Sequence, residues 1–371
     1  MTEPLPEHRI PRLDFEFSPA CDHKCGHCYN VWNADDGDPQ ASFTLRPQLS
    51  TPDLMALMRK AVRQTGCEHI TITGGEPMLR PGALDLVRLA TDLVPSVQII
   101  TNGSHVPPST ARVLAECGVR SVQLTLLAGN RALHDELKGA VCFDDTCRAA
   151  LDLADAGVPT QCCFVAMDAN RGELPRVMEL CLVLQIRQLV YNRMSPTGGA
   201  IHHIARLMPT PEQLEEDLDT LETLGRRFQI PAGTAMPIPP CLVRIERYDW
   251  VRFGFCSTGT ASPNIVIDGA GDVRSCNLAH GVLGNLVEQD WPEIHANPYP
   301  RDFKTQLPEM CQGCAYAASC QGGCKESAFA TFGDRTHPEP LVWLSTDPLR
   351  RERLKARVPQ RPAQTSAPES S

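Results

Sequence analysis

The sequence predicts an α/β protein: a partial, open barrel of six strand–helix units, followed by a small cysteine-rich unit with a β-hairpin. Two observations carry this prediction. Short β-rich runs alternate with helical patterns from residue 13 to about residue 194, which is typical of a parallel sheet. After residue 250, long apolar patterns become sparse and cysteines become frequent. Six units are two short of a closed eightfold barrel, so a partial (β/α)6 TIM-like barrel is expected.

Each predicted strand is followed by a polar or glycine-containing turn and then by helix-like sequence. The six strands are LDFEFS (13–18), HITITG (69–74), SVQIITN (96–102), SVQLTLL (121–127), TQCCFVAM (160–167) and QLVYNRM (188–194). The first helix is predicted over 51–66, because Ser50 or Thr51 can cap it and apolar residues recur on one face. That face consists of Leu54, Leu57, Met58 and Ala61.

The carboxyl half does not continue the strand–helix alternation. Residues 211–228 predict one more helix, and 264–268 and 272–276 predict a hairpin joined by Gly269-Ala270-Gly271. The expected division is an amino-terminal extension over 1–12, the barrel over 13–208, a bridging region over 209–250, the cysteine-rich domain over 251–345, and a partly disordered tail over 346–371.

Composition limits the class of function. The net charge of −9 over 371 residues argues against nonspecific binding to nucleic acid or to anionic membranes. Neither a signal peptide nor an apolar run of about 20 residues is present in the sequence, so a cytoplasmic protein is expected. In that reducing compartment the 17 cysteines are expected to be metal ligands, catalytic groups or core residues rather than disulfides.

A first group of three cysteines, Cys21, Cys25 and Cys28, follows the first predicted strand. One interpretation is a zinc site completed by His23 or His27. The position after the first strand favours a catalytic site instead, because active sites in such barrels lie at the carboxyl ends of the strands. TITGGEP (71–77) ends the second strand, where paired glycines would let a ligand approach the backbone and Glu76 offers a carboxylate to an amine.

The CxxxCxxC spacing and the GGEP motif together resemble the radical S-adenosylmethionine (SAM) superfamily. The resemblance implies that the three cysteines hold a [4Fe–4S] cluster, and that the amino and carboxylate groups of SAM bind the remaining iron. Cleavage of SAM would then yield a 5′-deoxyadenosyl radical that abstracts hydrogen from substrate. The implied SAM-binding residues are Gly74, Gly75, Glu76, Pro77, Thr101 and Asn102 of a TNG motif, Thr125, and Lys138 in place of an arginine.

A second group has the spacing Cys311-x2-Cys314-x5-Cys320-x3-Cys324, with Cys256 and Cys276 upstream. A zinc knot or an electron-transfer centre would use such a set, but the spacing resembles the SPASM domain, which carries auxiliary Fe–S clusters in radical SAM enzymes. The resemblance implies one or two such clusters. The first would use Cys256, Cys276 and Cys324 with Cys241 as a candidate fourth ligand. The second would use Cys311, Cys314 and Cys320, its fourth position being open or taken by Asp334, His337 or Glu339, because the family's seventh cysteine is absent after Cys324.

The remaining cysteines fit no ligand spacing and are expected to be buried apolar residues, with one of the strand pair Cys162 and Cys163 facing the barrel interior. No catalytic side chain is assigned. Asn277 stands where the sulfatase-maturing branch has an aspartate base, which argues against that branch.

The resemblance implies an enzyme that modifies a peptide, in the maturation of a ribosomally made product (RiPP) by crosslinking or oxidation. Its expected partners are SAM, a peptide substrate and an electron donor such as flavodoxin or ferredoxin. About 12 residues precede the first strand, so any leader-binding protein is expected to be separate. The alternatives are modification of a tetrapyrrole or other small molecule and, in another class, a non-catalytic Fe–S electron-transfer or zinc protein.

Overall fold

The computed structural model describes residues 9–31 and 47–347. All six barrel strands are confirmed, and they pair in parallel in chain order. They are β1 (Arg12–Glu16), β2 (His69–Thr73), β3 (Ser96–Thr101), β4 (Ser121–Thr125), β5 (Thr160–Ala166) and β6 (Gln188–Arg193). Each ends one or two residues before its predicted end, so those residues begin the loops at the carboxyl edge of the sheet. Residues 1–8 of the predicted amino-terminal extension and 348–371 of the predicted tail lie outside the described residues.

Helices follow the strands as the alternation predicts. They are α1 (Thr51–Thr65), α2 (Ala83–Leu93), α3 (Pro108–Glu116), α4 (Arg131–Lys138), α5 (Phe143–Asp155), α6 (Leu174–Val183), α7 (Ile204–Leu207), α8 (Pro211–Thr220), α9 (Arg226–Phe228), α10 (Trp291–His295), α11 (Tyr299–Thr305), α12 (Ala317–Cys320), α13 (Lys325–Phe332) and α14 (Pro340–Ser345). A π-helical turn, Leu221–Gly225, joins α8 to α9, so the predicted helix over 211–228 is continuous.

The first helix shows why these segments fold as they do. The hydroxyl of Ser50 accepts a hydrogen bond from the N–H of Asp53 (3.3 Å), and Gly66 ends the helix in the left-handed region. Its predicted apolar face is buried in the core. Within the described ranges, no helix combines the length and the apolar character needed to cross a membrane.

The sheet extends beyond the barrel at both edges. Five further strands join it: β7 (Ala232–Gly233), β8 (Val251–Arg252), β9 (Asn264–Asp268), β10 (Asp272–Arg274) and β11 (Val282–Asn285). The order is β11-β10-β9-β1-β2-β3-β4-β5-β6-β7-β8. The predicted hairpin is confirmed as β9 and β10, but it does not form a sheet of its own, because β9 pairs in parallel with β1.

The first strand is buried on both faces. Leu13 and Phe15 are fully buried in the apolar core, whereas Asp14 and Glu16, also buried, point to the opposite face. A polar interior therefore begins at β1, on the side of the sheet away from the helices.

Candidate active site

The loop that follows β1 carries the first three cysteines and runs beside the GGEP segment. The N–H of Gly75 donates to the carbonyl of Ser18 (2.8 Å), and the N–H of Glu76 donates to the carbonyl of Ala20 (2.8 Å). A Cβ on Gly75 would collide with the carbonyl oxygen of Ala20, and one on Gly74 would lie 2.6 Å from that of Ser18. The glycine pair thus lets this chain's own loop approach closely. The approach of a ligand at the same two glycines stays a prediction.

The three thiols lie near one another and near a buried lysine. Burial raises the pKa of Cys21 to about 11, and the neighbouring Cys25 adds to this effect. Burial also raises the pKa of Cys25, with Cys28 nearby and Lys138 opposing the shift. Cys142, which matched no ligand spacing, is buried close to Cys25, and burial raises its pKa to about 12.

Glu76 joins the GGEP segment to the TNG segment. Its carboxylate is fully buried and accepts hydrogen bonds from the hydroxyl of Thr101 (2.7 Å), the N–H of Asn102 (2.7 Å) and the N–H of Met78 (3.0 Å). Burial raises the pKa of Glu76, although these donors favour the charged form. A carboxylate has about four acceptor positions, so room for about one more donor remains.

The TNG loop also holds the cysteine loop. The amide of Asn102 donates to Asp22 (2.7 Å), and the ring of His105 pairs with the other oxygen of Asp22 (2.9 Å). Nε2 of His23 lies 3.1 Å from the hydroxyl of Ser104. These contacts fix the two residues that follow Cys21, and they engage Nε2 of the His23 ring.

Thr125 and Lys138 lie around the same interior region. Thr125 ends β4 and is in register with Cys163 of β5. Lys138 ends α4, is 4% exposed, and accepts a hydrogen bond at its carbonyl from the N–H of Lys24 (3.2 Å). Its charge opposes the rise in the pKa of both Cys25 and Cys163. Cys162 packs in the apolar core, whereas the thiol of Cys163 accepts from the amide of Asn192 (3.8 Å), so Cys163 is the member of the strand pair that faces the interior.

The cysteines of the carboxyl half form two groups. Cys241, Cys311, Cys314 and Cys320 line one cavity, together with mainly apolar side chains such as Pro239, Met310, Tyr316 and Val342. Burial raises the pKa of Cys320 to about 11, with Glu339 and Cys241 adding to the shift.

The other group is Cys256, Cys276 and Cys324. Burial raises the pKa of Cys276, and Glu326, Cys256 and Cys324 raise it further. Burial likewise raises the pKa of Cys324 to about 12. Cys241, the candidate fourth member of this group on sequence grounds, is therefore placed with the other group instead, because the loop after β7 carries it to the cavity of Cys311.

The three oxygen and nitrogen candidates for the fourth ligand beside Cys311 all have other contacts. Asp334 accepts from the N–H and hydroxyl of Thr336 (both 2.8 Å), and the ring of His337 lies on Phe332 with centroids 3.8 Å apart. Glu339 is fully buried, forms an ion pair with Arg193, and accepts from the N–H of Cys324 (2.9 Å).

Residues 15–181 match the sequence model of the radical SAM superfamily. This part of the chain is a radical SAM domain. The superfamily binds a [4Fe–4S] cluster together with SAM. The residues present fit that pair, because three thiols on one loop leave one iron of the cluster without a protein ligand, and Glu76 and Lys138 bring a carboxylate and an ammonium group close by.

Characterised proteins resemble the chain over nearly its whole length. The PqqA peptide cyclase of Rhizobium meliloti is 25% identical over 370 residues, covering 95% of this chain and 91% of the cyclase. The mycofactocin maturase MftC of Mycobacterium tuberculosis is 27% identical over 350 residues, covering 92% and 85%. The crystal structure of Streptococcus suis SuiB bound to S-adenosylmethionine superposes with a TM-score of 0.71 at 18% identity, covering 90% of this chain and 77% of SuiB. SuiB has also been crystallised with its precursor peptide SuiA.

The interior of the radical SAM domain holds charged residues that sequence reasoning missed. Glu16 forms a buried ion pair with Arg274 of β10 and accepts from the amide of Asn277 (3.2 Å). Burial raises the pKa of Glu16 to about 7, against the opposing charge of Arg274. The half-buried Tyr29, next to Cys28, lies near Glu16 and Cys163. The signal in the sequence was the alternation of Asp14 and Glu16 with apolar residues in a strand expected to be buried.

Proposed function

We propose that the chain is a radical SAM maturase that modifies a ribosomally made peptide by hydrogen abstraction, in a crosslinking or oxidation reaction. The observation that carries this proposal is the match to a PqqA peptide cyclase and to the mycofactocin maturase MftC along more than nine-tenths of the chain. The fold shared with SuiB, a protein crystallised with a precursor peptide, is consistent with it.

In this proposal, Cys21, Cys25 and Cys28 hold the [4Fe–4S] cluster. When bound, the reduced cluster and SAM supply the 5′-deoxyadenosyl radical that attacks the substrate. The Gly74–Pro77 segment holds Glu76 so that its carboxylate can accept the methionine amine, and Thr101 and the Asn102 N–H orient that carboxylate. Thr125 and Lys138 are assigned to the ribose and the carboxylate of SAM.

The cysteines of the carboxyl half would hold two auxiliary clusters. An electron donor such as flavodoxin or ferredoxin would supply the electron. Either a separate leader-binding protein would present the peptide, or the chain would recognise the peptide directly. A cytoplasmic site of reaction would keep the thiols reduced.

The test uses anaerobically purified, reconstituted protein with a reductant, SAM and the short peptides encoded beside its gene. We expect 5′-deoxyadenosine together with a peptide that has lost two hydrogens, as mass spectrometry would show. Replacing Cys21, Cys25 and Cys28 by alanine should abolish both products. Cleavage of SAM that persists in this variant would overturn the cluster assignment, and conversion of a tetrapyrrole instead of a peptide would overturn the substrate class.

A further inference from the structure

We propose that Cys241, from the bridging region, is the fourth cysteine ligand of an Fe–S cluster held by Cys311, Cys314 and Cys320. The site with only three cysteines is then that of Cys256, Cys276 and Cys324. This inference rests on the proposed function, because it takes the cysteine groups of the carboxyl half to be cluster sites.

The first support is the shared cavity. Two separate segments contribute its thiols: a turn closed by the hydrogen bond from the N–H of Leu242 to the carbonyl of Pro239 (3.0 Å), and the cysteine run 311–320. The cavity is lined mainly by apolar groups apart from these thiols. Four cysteine thiolates are the ordinary ligand set of a [4Fe–4S] cluster.

The second support is the way the bridging loop is anchored. Nε of Arg193, at the end of β6, donates to the carbonyl of Pro237 (2.8 Å), four residues before Cys241. The same guanidinium forms an ion pair with Glu339, and both side chains are fully buried. Glu339 in turn accepts from the N–H of Cys324. One buried network thus fixes the loop of Cys241 against the segment that carries the other cysteines.

The third support is the backbone between Cys320 and Cys324. Gln321, Gly322 and Gly323 all have positive φ, at 54°, 85° and 86°. A Cβ on Gly323 would lie 2.7 Å from Cδ of Glu339. This left-handed run reverses the chain, so that Cys320 faces the cavity of Cys241 while Cys324 joins Cys256 and Cys276. The seven cysteines therefore divide into four and three, with Cys241 in the set of four.

The experiment uses the full chain with Cys21, Cys25 and Cys28 replaced by alanine, so that auxiliary clusters alone contribute. This parent should hold about eight irons, as two [4Fe–4S] clusters. In it, Cys241→Ser should lower the iron and sulfide content toward about four, or change the Mössbauer and EPR spectra of one cluster. Cys311→Ser should change the same cluster. The double variant, Cys241→Ser with Cys311→Ser, should lose no more iron than either single variant. Cys276→Ser should change the other cluster.

Cys117→Ser is the matched control, since Cys117 is a partly buried cysteine at the end of α3 and does not line the cavity. Its iron content and spectra should equal those of the parent, and circular dichroism should show the same helix content in all variants. Parent-like spectra for Cys241→Ser, or loss of the cluster that Cys276→Ser affects, would overturn the role of Cys241. A parent without iron would overturn the auxiliary clusters themselves, and the role of Cys241 with them.

Discussion

Glu76 is the residue on which SAM binding depends most directly in the proposed function. Its buried carboxylate already accepts three hydrogen bonds, and the methionine amine would be a fourth, charged donor. In Glu76→Gln the amide loses the charge and cannot accept at both oxygen positions. A hydrogen bond to a charged group contributes roughly 1.5–3 kcal/mol, so SAM affinity should fall about 10- to 100-fold in anaerobic calorimetry.

Thr101→Val is the control for this prediction. It removes one of the three donors but leaves the carboxylate charged, so its affinity for SAM should fall by less than that of Glu76→Gln. The iron content of both variants should match that of the unmodified protein, because neither residue is a thiol ligand. Equal SAM affinity in Glu76→Gln and the unmodified chain would show that the amine is bound elsewhere.

At the scale of the element, the pairing of the cysteine loop with the GGEP segment depends on the absence of a side chain. Gly75→Ala would place a methyl group against the carbonyl of Ala20 and force the two backbones apart. Overpacking of this kind costs about 1–3 kcal/mol, so the free energy of unfolding in denaturant should fall by that amount. Displacement of Cys21 should also reduce the iron bound.

Gly281→Ala is the matched control, since its Cβ would lie 3.6 Å from the ring of Tyr299, which is ordinary van der Waals contact. A surface-like substitution of this type should change the free energy of unfolding by less than about 0.5 kcal/mol. If both variants unfolded at the same denaturant concentration as the unmodified chain, the packing explanation of the glycine pair would be wrong.

The six strands and the helix 51–65 were predictable because their signals are local: β-rich runs bounded by turns, a capping serine and an apolar face. The motif residues followed from local spacing in the same way, and their roles in binding remain predictions. The pairing of β9 with β1 and the grouping of Cys241 with Cys311 were not predictable. Both depend on contacts between residues far apart in the chain, which spacing does not encode.

At the scale of the whole molecule, one sheet connects the radical SAM domain to the carboxyl half. Beside the pairing of β9 with β1, the amide of Asn264 donates to Asp14 (2.7 Å), and the Glu16–Arg274 ion pair joins residues 258 positions apart. Lys60 of α1 donates to the carbonyl of Gln289 (2.8 Å). The hairpin that precedes Cys276 therefore belongs to the same sheet as the barrel strands. Its position is fixed by the pairing of β9 with β1 and by the Glu16–Arg274 ion pair in the interior.

This connection predicts a pH dependence of stability through Glu16. Burial raises its pKa in the folded chain from an ordinary 4.5 to about 7. Between these values the folded chain holds a proton that the unfolded chain has released, so Glu16 contributes less to stability as pH rises from about 4.5 to 7. Relative to Glu16→Gln, which cannot titrate, the free energy of unfolding of the unmodified chain should fall by about 3 kcal/mol across that window.

Denaturant unfolding of the cluster-loaded chain at several pH values, without oxygen, measures this difference. Glu68→Gln is the control, because Glu68 exposes 61% of its side chain beside Arg9, and its loss should leave the pH dependence of the unmodified chain in place. The opposite result would be a free energy of unfolding of the unmodified chain that rises with pH relative to that of Glu16→Gln. It would mean that the attraction of Arg274 outweighs burial. The ion pair would then be fully charged at low pH, and the interior of the barrel would be a more polar environment than its burial implies.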